Sequence, residues 1–193
     1  MKHTFASVLT IAMFCTSIPF GQSTSAQSLN YNYLEGNVAF YPSYGSGPGS
    51  QDFTGWRVRG AIQPIQEVFV FGQFRYLTDD IDFAQAHIGA AFRFEVARRT
   101  DLYVGPSIEY VDFSPGPDDF GFGLRGGLRH RINQEFEIGI EARYVNIGGD
   151  IDDDYVGVTG TLQYHLTNHF GLIGELDVED GDIGFLAGAR VNF

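Results

Sequence analysis

The sequence predicts an all-β protein: a ten-stranded antiparallel up-and-down transmembrane β-barrel behind an N-terminal signal peptide. A strand pattern repeated at fixed spacing, a clean split between apolar and charged registers, and an even number of membrane-length segments predict it. Val68, Leu102, Phe136 and Phe170 stand 34 positions apart, and each opens an alternating stretch: VFVFGQFRY, LYVGPSIEY, FEIGIEARY and FGLIGELDV. Aligned, the columns Val70/Val104/Ile138/Leu172 and Phe74/Ile108/Ala142/Leu176 are apolar, whereas Gln73/Ser107/Glu141/Glu175 and Arg75/Glu109/Arg143/Asp177 collect charge. A period of two gives a strand with one apolar face. Its recurrence gives an array of equivalent hairpins. Helical repeats of this length would need apolar residues at i, i+3, i+4 and i+7, a pattern absent here.

Residues 1–26 are expected to be the signal peptide and 27–193 the barrel domain. Lys2 supplies the positive start, residues 6–20 an apolar core interrupted by Thr10, Thr16 and Pro19, and Thr24-Ser25-Ala26 a small-x-small cleavage site. That core is too short and too interrupted for a spanning helix. Cys15 is the single cysteine, and it lacks the small residue expected just before a lipidated cysteine, because Ala12-Met13-Phe14 precede it. After cleavage no thiol chemistry or disulfide remains.

Five strands follow the 34-residue comb, with residues 31–40 as the first, and five run between them: 55–63, 83–94, 120–131, 155–166 and 183–193. Each has the length a tilted membrane strand needs, and single-chain bacterial barrels require an even count. The connections 63–67, 95–100, 131–135 and 166–169 are short and are expected to be periplasmic turns. The mostly longer, Gly-, Pro- and Asp-rich stretches 41–54, 77–82, 114–119, 147–154 and 179–182 are expected to face outside.

Outward, Leu34, Val38, Val58, Ile62, Ile88, Phe92, Leu124, Ile140, Leu162, Leu176 and Val191 make an apolar band. Trp56, Tyr76, Tyr110, Phe120 and Tyr144 gather at one rim, and Phe94, Phe136, Tyr164, Phe170 and Phe193 at the other, as interfacial aromatic belts. Inward, Glu35, His87, Glu109, Glu137, Glu141, Glu175 and Asp177 meet Arg57, Arg59, Arg75, Arg93, Arg125, Arg129, Arg143 and Arg190, with Arg131 in the same register. Lys2 is the only lysine. Guanidinium forks suit fixed, partly buried pairs with carboxylates, so an ionic, side-chain-filled lumen is expected. A soluble carrier barrel would place apolar residues inside instead.

The formal charge of −12 argues against a nucleic-acid partner, which requires clustered cations. The closing residues Phe185, Ala187, Ala189, Val191 and Phe193 alternate and end on an aromatic, as an assembly signal for barrel insertion would.

The stretches LNYNYLEG (29–36), GWRVRGA (55–61), VFVFGQF (68–74), RTDLYV (99–104) and the final AGARVNF carry a family likeness. The chain resembles the small proteobacterial outer-membrane β-barrel proteins related to the OmpA and OmpX membrane domains. More closely it is similar to a xanthomonad-type group described as quorum-sensing-factor-like. The resemblance covers residues 27–193 through strand patterns. It implies a barrel in the outer membrane of a Gram-negative bacterium, with outer-membrane lipid, lipopolysaccharide, the barrel-assembly machinery and periplasmic chaperones as partners.

Catalysis is not expected. An omptin-like site would need paired aspartates and an Asp–His couple at the outer rim, and His87 with Asp80 and Asp82 is the nearest arrangement. The loops are too short for a peptide cleft. A lipid-modifying Ser–His–Glu site is disfavoured because His130, His165 and His169 lie at the periplasmic turns. No cofactor is implied. The clusters Asp79-Asp80-Ile-Asp82 and Asp150-Ile-Asp152-Asp153-Asp154 depart from the twelve-residue calcium loop, so at most weak divalent cations shared with lipopolysaccharide are expected. The expected role is envelope integrity or surface interaction through acidic loops. Narrow pores and barrel enzymes are the alternatives, although open porins use about sixteen strands.

Overall fold

Lipid offers no hydrogen bonds, so strands that cross it must close into a ring. The computed structural model describes residues 29–44, 51–79, 81–151 and 153–193. Its strands are β1 (Tyr33–Tyr44), β2 (Gln51–Ile65), β3 (Val68–Thr78), β4 (Asp82–Ala97) and β5 (Thr100–Ser114). They continue with β6 (Asp118–Arg131), β7 (Phe136–Ile147), β8 (Asp153–His165), β9 (Phe170–Glu179) and β10 (Asp182–Asn192). Each pairs antiparallel with its sequence neighbours, and β1 closes on β10 with Glu35 opposite Arg190. The proposed signal peptide lies outside the described residues.

All the strands but β10 are longer than the alternation suggested, and the ten run from 10 residues in β9 to 16 in β4. The first begins at Tyr33, so Tyr31 precedes it rather than belonging to it. Strand extension also removes most of the expected difference between the two ends. Residues 79–81, 115–117 and 180–181 are all that remain of three supposedly longer loops, against 66–67 and 98–99 among the turns. The backbone ladder simply continues beyond the lipid-facing band, as in Asp112 opposite Asp118.

The two faces follow the expected parity through the membrane zone. Ile88, Phe92, Leu124 and Ile140 are exposed on the outer face, while Glu35, Arg57, Arg143 and Asp177 are buried inside. Rim aromatics pair in space: Trp56 with Tyr76 at 6.3 Å and Tyr110 with Phe120 at 4.9 Å on the loop side, Phe136 with Tyr164 at 5.0 Å on the turn side. The comb tyrosines also tie the loop rim to aspartates. Tyr110 and Tyr144 each donate at 3.2 Å, to Asp118 and Asp154, and Tyr76 bonds Asp82.

A uniformly ionic interior is not what the structure holds. Beyond the loop-side belt the pattern inverts: Tyr41, Phe53, Leu77, Phe83, Val111, Val145 and Ile147 point inward as an apolar cluster. Their outward neighbours Thr54, Thr78, Asp82, Asp112 and Asn146 are polar. Here the barrel has left the hydrocarbon, so water wets the outer face and apolar burial moves inside. A second apolar cluster of Leu29, Tyr31, Tyr33, Ala61, Phe69 and Ala91 fills the turn-side mouth. Most of the lumen charges lie between them, and the pairs Arg93–Asp101 and Arg131–Glu137 sit at the turn end itself.

Candidate functional site: the ionic lumen

Alternation on β1, β2, β9 and β10 aims Glu35, Arg57, Arg59, Glu175 and Arg190 at one level of the lumen. Glu35 faces Arg190 and Arg59 directly across its two ladders. It accepts from Arg190 Nη2 at 2.7 Å, Arg59 Nη2 at 3.0 Å and Arg57 Nη2 at 3.1 Å. Glu175 accepts from Arg59 at 2.5 Å and from Arg57, which crosses the lumen from β2 to β9.

The next level toward the loops is built on Arg143. Its fork donates to Asp177 Oδ1 at 2.9 Å and Glu179 Oε2 at 2.7 Å, with Thr159 Oγ1 at 2.8 Å. Arg75, from the opposite wall, reaches Glu179 at 3.2 Å and the Tyr41 hydroxyl at 2.8 Å. Tyr41 in turn donates to Asp177 at 2.8 Å. Glycine makes room for these large groups: a side chain at Gly157 would meet the Arg143 guanidinium, and one at Gly184 the Tyr41 ring.

On the β4–β7 wall, Arg125 donates to Glu109 at 2.8 Å, Ser107 at 3.3 Å, Glu141 at 3.4 Å and His87 Nδ1 at 3.0 Å. Accepting there assigns the His87 proton to Nε2. Glu109 lies 3.6 Å from the same ring nitrogen, and Tyr103 donates to Glu141 at 2.7 Å. Toward the turns, Glu137 accepts from Arg129 at 2.6 Å and lies 3.5 Å from Arg131, while Arg93 holds Asp101 at 2.5 Å. The guanidinium of Arg129 also lies 4.4 Å from the Tyr31 ring. Burial raises the Tyr31 phenol well above its usual range, so this stopper is neutral.

The charged lumen residues inferred from parity thus each meet an opposite partner, in clusters around Glu35, Arg143 and Arg125 and in pairs at the turn end. Parity alone missed Tyr41, Asp101 and Glu179, which had been assigned to connections or left between strands. The alternation Glu175, Asp177, Glu179 was the available signal for the last. His87 does not meet an aspartate at the rim. Asp82 sits five residues away, about 16 Å along a strand, and accepts from Thr78 at 2.8 Å; Asp80 is outside the described residues. Of the turn-side histidines, His130 meets Thr100 at 2.8 Å and His165 lies 3.5 Å from Glu137. Phe185, Ala187, Ala189, Val191 and Phe193 line the outer face of β10 and its end.

A cavity of about 60 Å³ on the turn side is bordered by Tyr31, Arg59, Phe71, His87, Tyr103 and Glu141, enough for a few waters.

Among solved structures the chain is similar to the NanC porin, at 11% identity and a TM-score of 0.51, covering 83% of this chain and 100% of that one. It is also similar to the KdgM porin, at 8% identity and 0.48 over 83% and 99% of the two chains. An outer-membrane channel from Pseudomonas putida F1 matches at 10% identity and 0.47 over 90% and 100%. At these identities the likeness is one of fold. No curated protein matches the chain. The family model for the outer membrane protein beta-barrel domain matches residues 7–158, ending within β8. With that stretch matched and the remaining two strands closing the ring, the chain belongs to the outer membrane protein beta-barrel family.

Proposed function

We propose that this protein is a closed barrel of the OmpA/OmpX type, which serves envelope integrity or surface interaction through its acidic loop end. It is neither a conduit nor a catalyst. The observation that carries this reading is the cross-lumen ion network with an apolar cluster at either end, beside a cavity of about 60 Å³. The described acids turned outward at the loop end are all aspartates, and no described cation accompanies them there. This suits a hydrated surface facing lipopolysaccharide and its divalent cations. Purified protein in a planar bilayer is expected to give no discrete conductance steps at voltages that leave the barrel folded. Reproducible steps would make it a narrow pore instead.

In this reading the outward residues Phe185, Ala187, Ala189, Val191 and Phe193 act as the assembly signal. Deleting Phe193 is expected to lower outer-membrane yield in cells far more than it lowers the stability of refolded barrel. One rim aromatic contributes about 1.5–3 kcal/mol of burial, and deletion also removes the contact of its backbone N–H with Asn32 O at 3.1 Å. Folded and heated forms separated on a gel report both quantities. Normal folded yield in cells would rule out the signal.

A further inference from the structure

Family membership leaves open which lipids the barrel holds, and the outer wall carries a feature that bears on this. An apolar groove of about 510 Å³ lies on the lipid face of β4–β8. Phe94, Leu102, Val104 and Ile140 wall it, and Gly126 and Ala142 form its floor. The interior does not demand the small residue at Gly126: a Cβ there would come no nearer than 3.5 Å to any neighbour. The absent side chain leaves the wall open rather than relieving a clash.

The two strands that line the groove with Phe94, Leu102 and Val104, β4 and β5, are joined at the turn end by a connection that holds Arg98 and Arg99. These are the only described cations not turned into the lumen, and both are exposed. The nearest acids in the chain, Glu95 and Asp101, are turned to Arg93 at 3.9 and 2.5 Å. Arg99 has φ +68°, a left-handed conformation that glycine or asparagine adopts at less expense. From Val104 to Arg99 is about 16 Å along the strand, or about 12 Å along the membrane normal at the usual tilt. That lies within the ~15 Å of one leaflet's hydrocarbon.

We propose that this groove and the Arg98–Arg99 pair form a binding site for one anionic glycerophospholipid of the leaflet at the turn end. An acyl chain lies over Gly126 and Ala142, and the phosphate meets the two guanidinium groups. The loop end, with its aspartates, offers no equivalent to an anionic headgroup. The site is independent of whether the lumen conducts.

The test is native mass spectrometry of the full barrel, released from vesicles of phosphatidylethanolamine and phosphatidylglycerol or of phosphatidylcholine. One retained phosphatidylglycerol is expected, favoured over phosphatidylcholine by about fivefold per arginine. The double variant R98Q/R99Q should keep a lipid without headgroup preference. Gly126→Leu, which fills the groove without an internal clash, should lose it. Arg99→Gly should lose about fivefold preference while its urea midpoint stays equal or rises, separating lipid contact from turn stability. Undiminished retention by Gly126→Leu, unchanged preference in R98Q/R99Q, or a protein dimer in place of the lipid would overturn the site.

Discussion

Arg143→Leu is expected to destabilise the folded barrel by about 3–5 kcal/mol, the usual penalty for stranding one side of a buried pair. Arg143 alone donates to Asp177, Glu179 and Thr159, and its side chain is 7% exposed. Arg75 remains as a partner for both acids, but at 3.5 and 3.2 Å it cannot replace the fork. Arg143→Lys should fall between wild type and the leucine variant, because it restores the charge without the planar pair of donors. Urea titration in detergent micelles measures all three. Coincident midpoints would mean that the lumen charges are individually solvated.

Ile140→Arg should cost roughly 2–4 kcal/mol, since its position near the middle of β7 faces the bilayer midplane. Its exposure of 53% is to lipid. The expected sign is a fall in insertion yield into vesicles. Glu141→Arg, one residue on, leaves the lipid face untouched and replaces the carboxylate that lies 3.4 Å from Arg125 with a second cation. It should insert at near wild-type yield and show its defect in the urea midpoint instead. A shared insertion defect would contradict the pairing of Glu141 with Gly127 and Thr159.

The sequence was most legible where the bilayer constrains it. Between the aromatic belts, lipid forces one face to be apolar, so Ile138, Ile140 and Ala142 could be assigned outward from spacing alone, and Glu141 and Arg143 inward. Beyond the belt that constraint disappears. Tyr41, Phe53 and Leu77 were assigned to loops because the apolar parity reverses at the waterline, and a reversal of parity is indistinguishable from the end of a strand. Glu179 was lost differently: it keeps the inward parity of Glu175 and Asp177 but stands one residue past the last member of the comb. Partner choice was not legible at all. Parity brings Arg75 into the lumen, but only the diameter of the closed ring decides that it meets Glu179 on the far wall. The turn-side stopper was invisible too, because Leu29 and Tyr31 precede the first strand and belong to no repeat.

The seam between β1 and β10 has a kinetic consequence. Glu35 is contributed by one edge of the seam and Arg190 by the other, and Glu35 also shares Arg57 and Arg59 with Glu175. Until those edges meet, Glu35 lacks Arg190 and the cross-lumen ties from Arg57 and Arg75 to β9 cannot form. Ring closure and charge neutralisation are therefore one event, so partly zipped chains gain little from the charges they already carry. The reverse also holds. Parting the seam to admit a molecule sideways from the membrane would strip Glu35 of a buried partner at the first step. A gate is built from contacts that break cheaply and singly. This seam is a latch, and the chain is built to shut once.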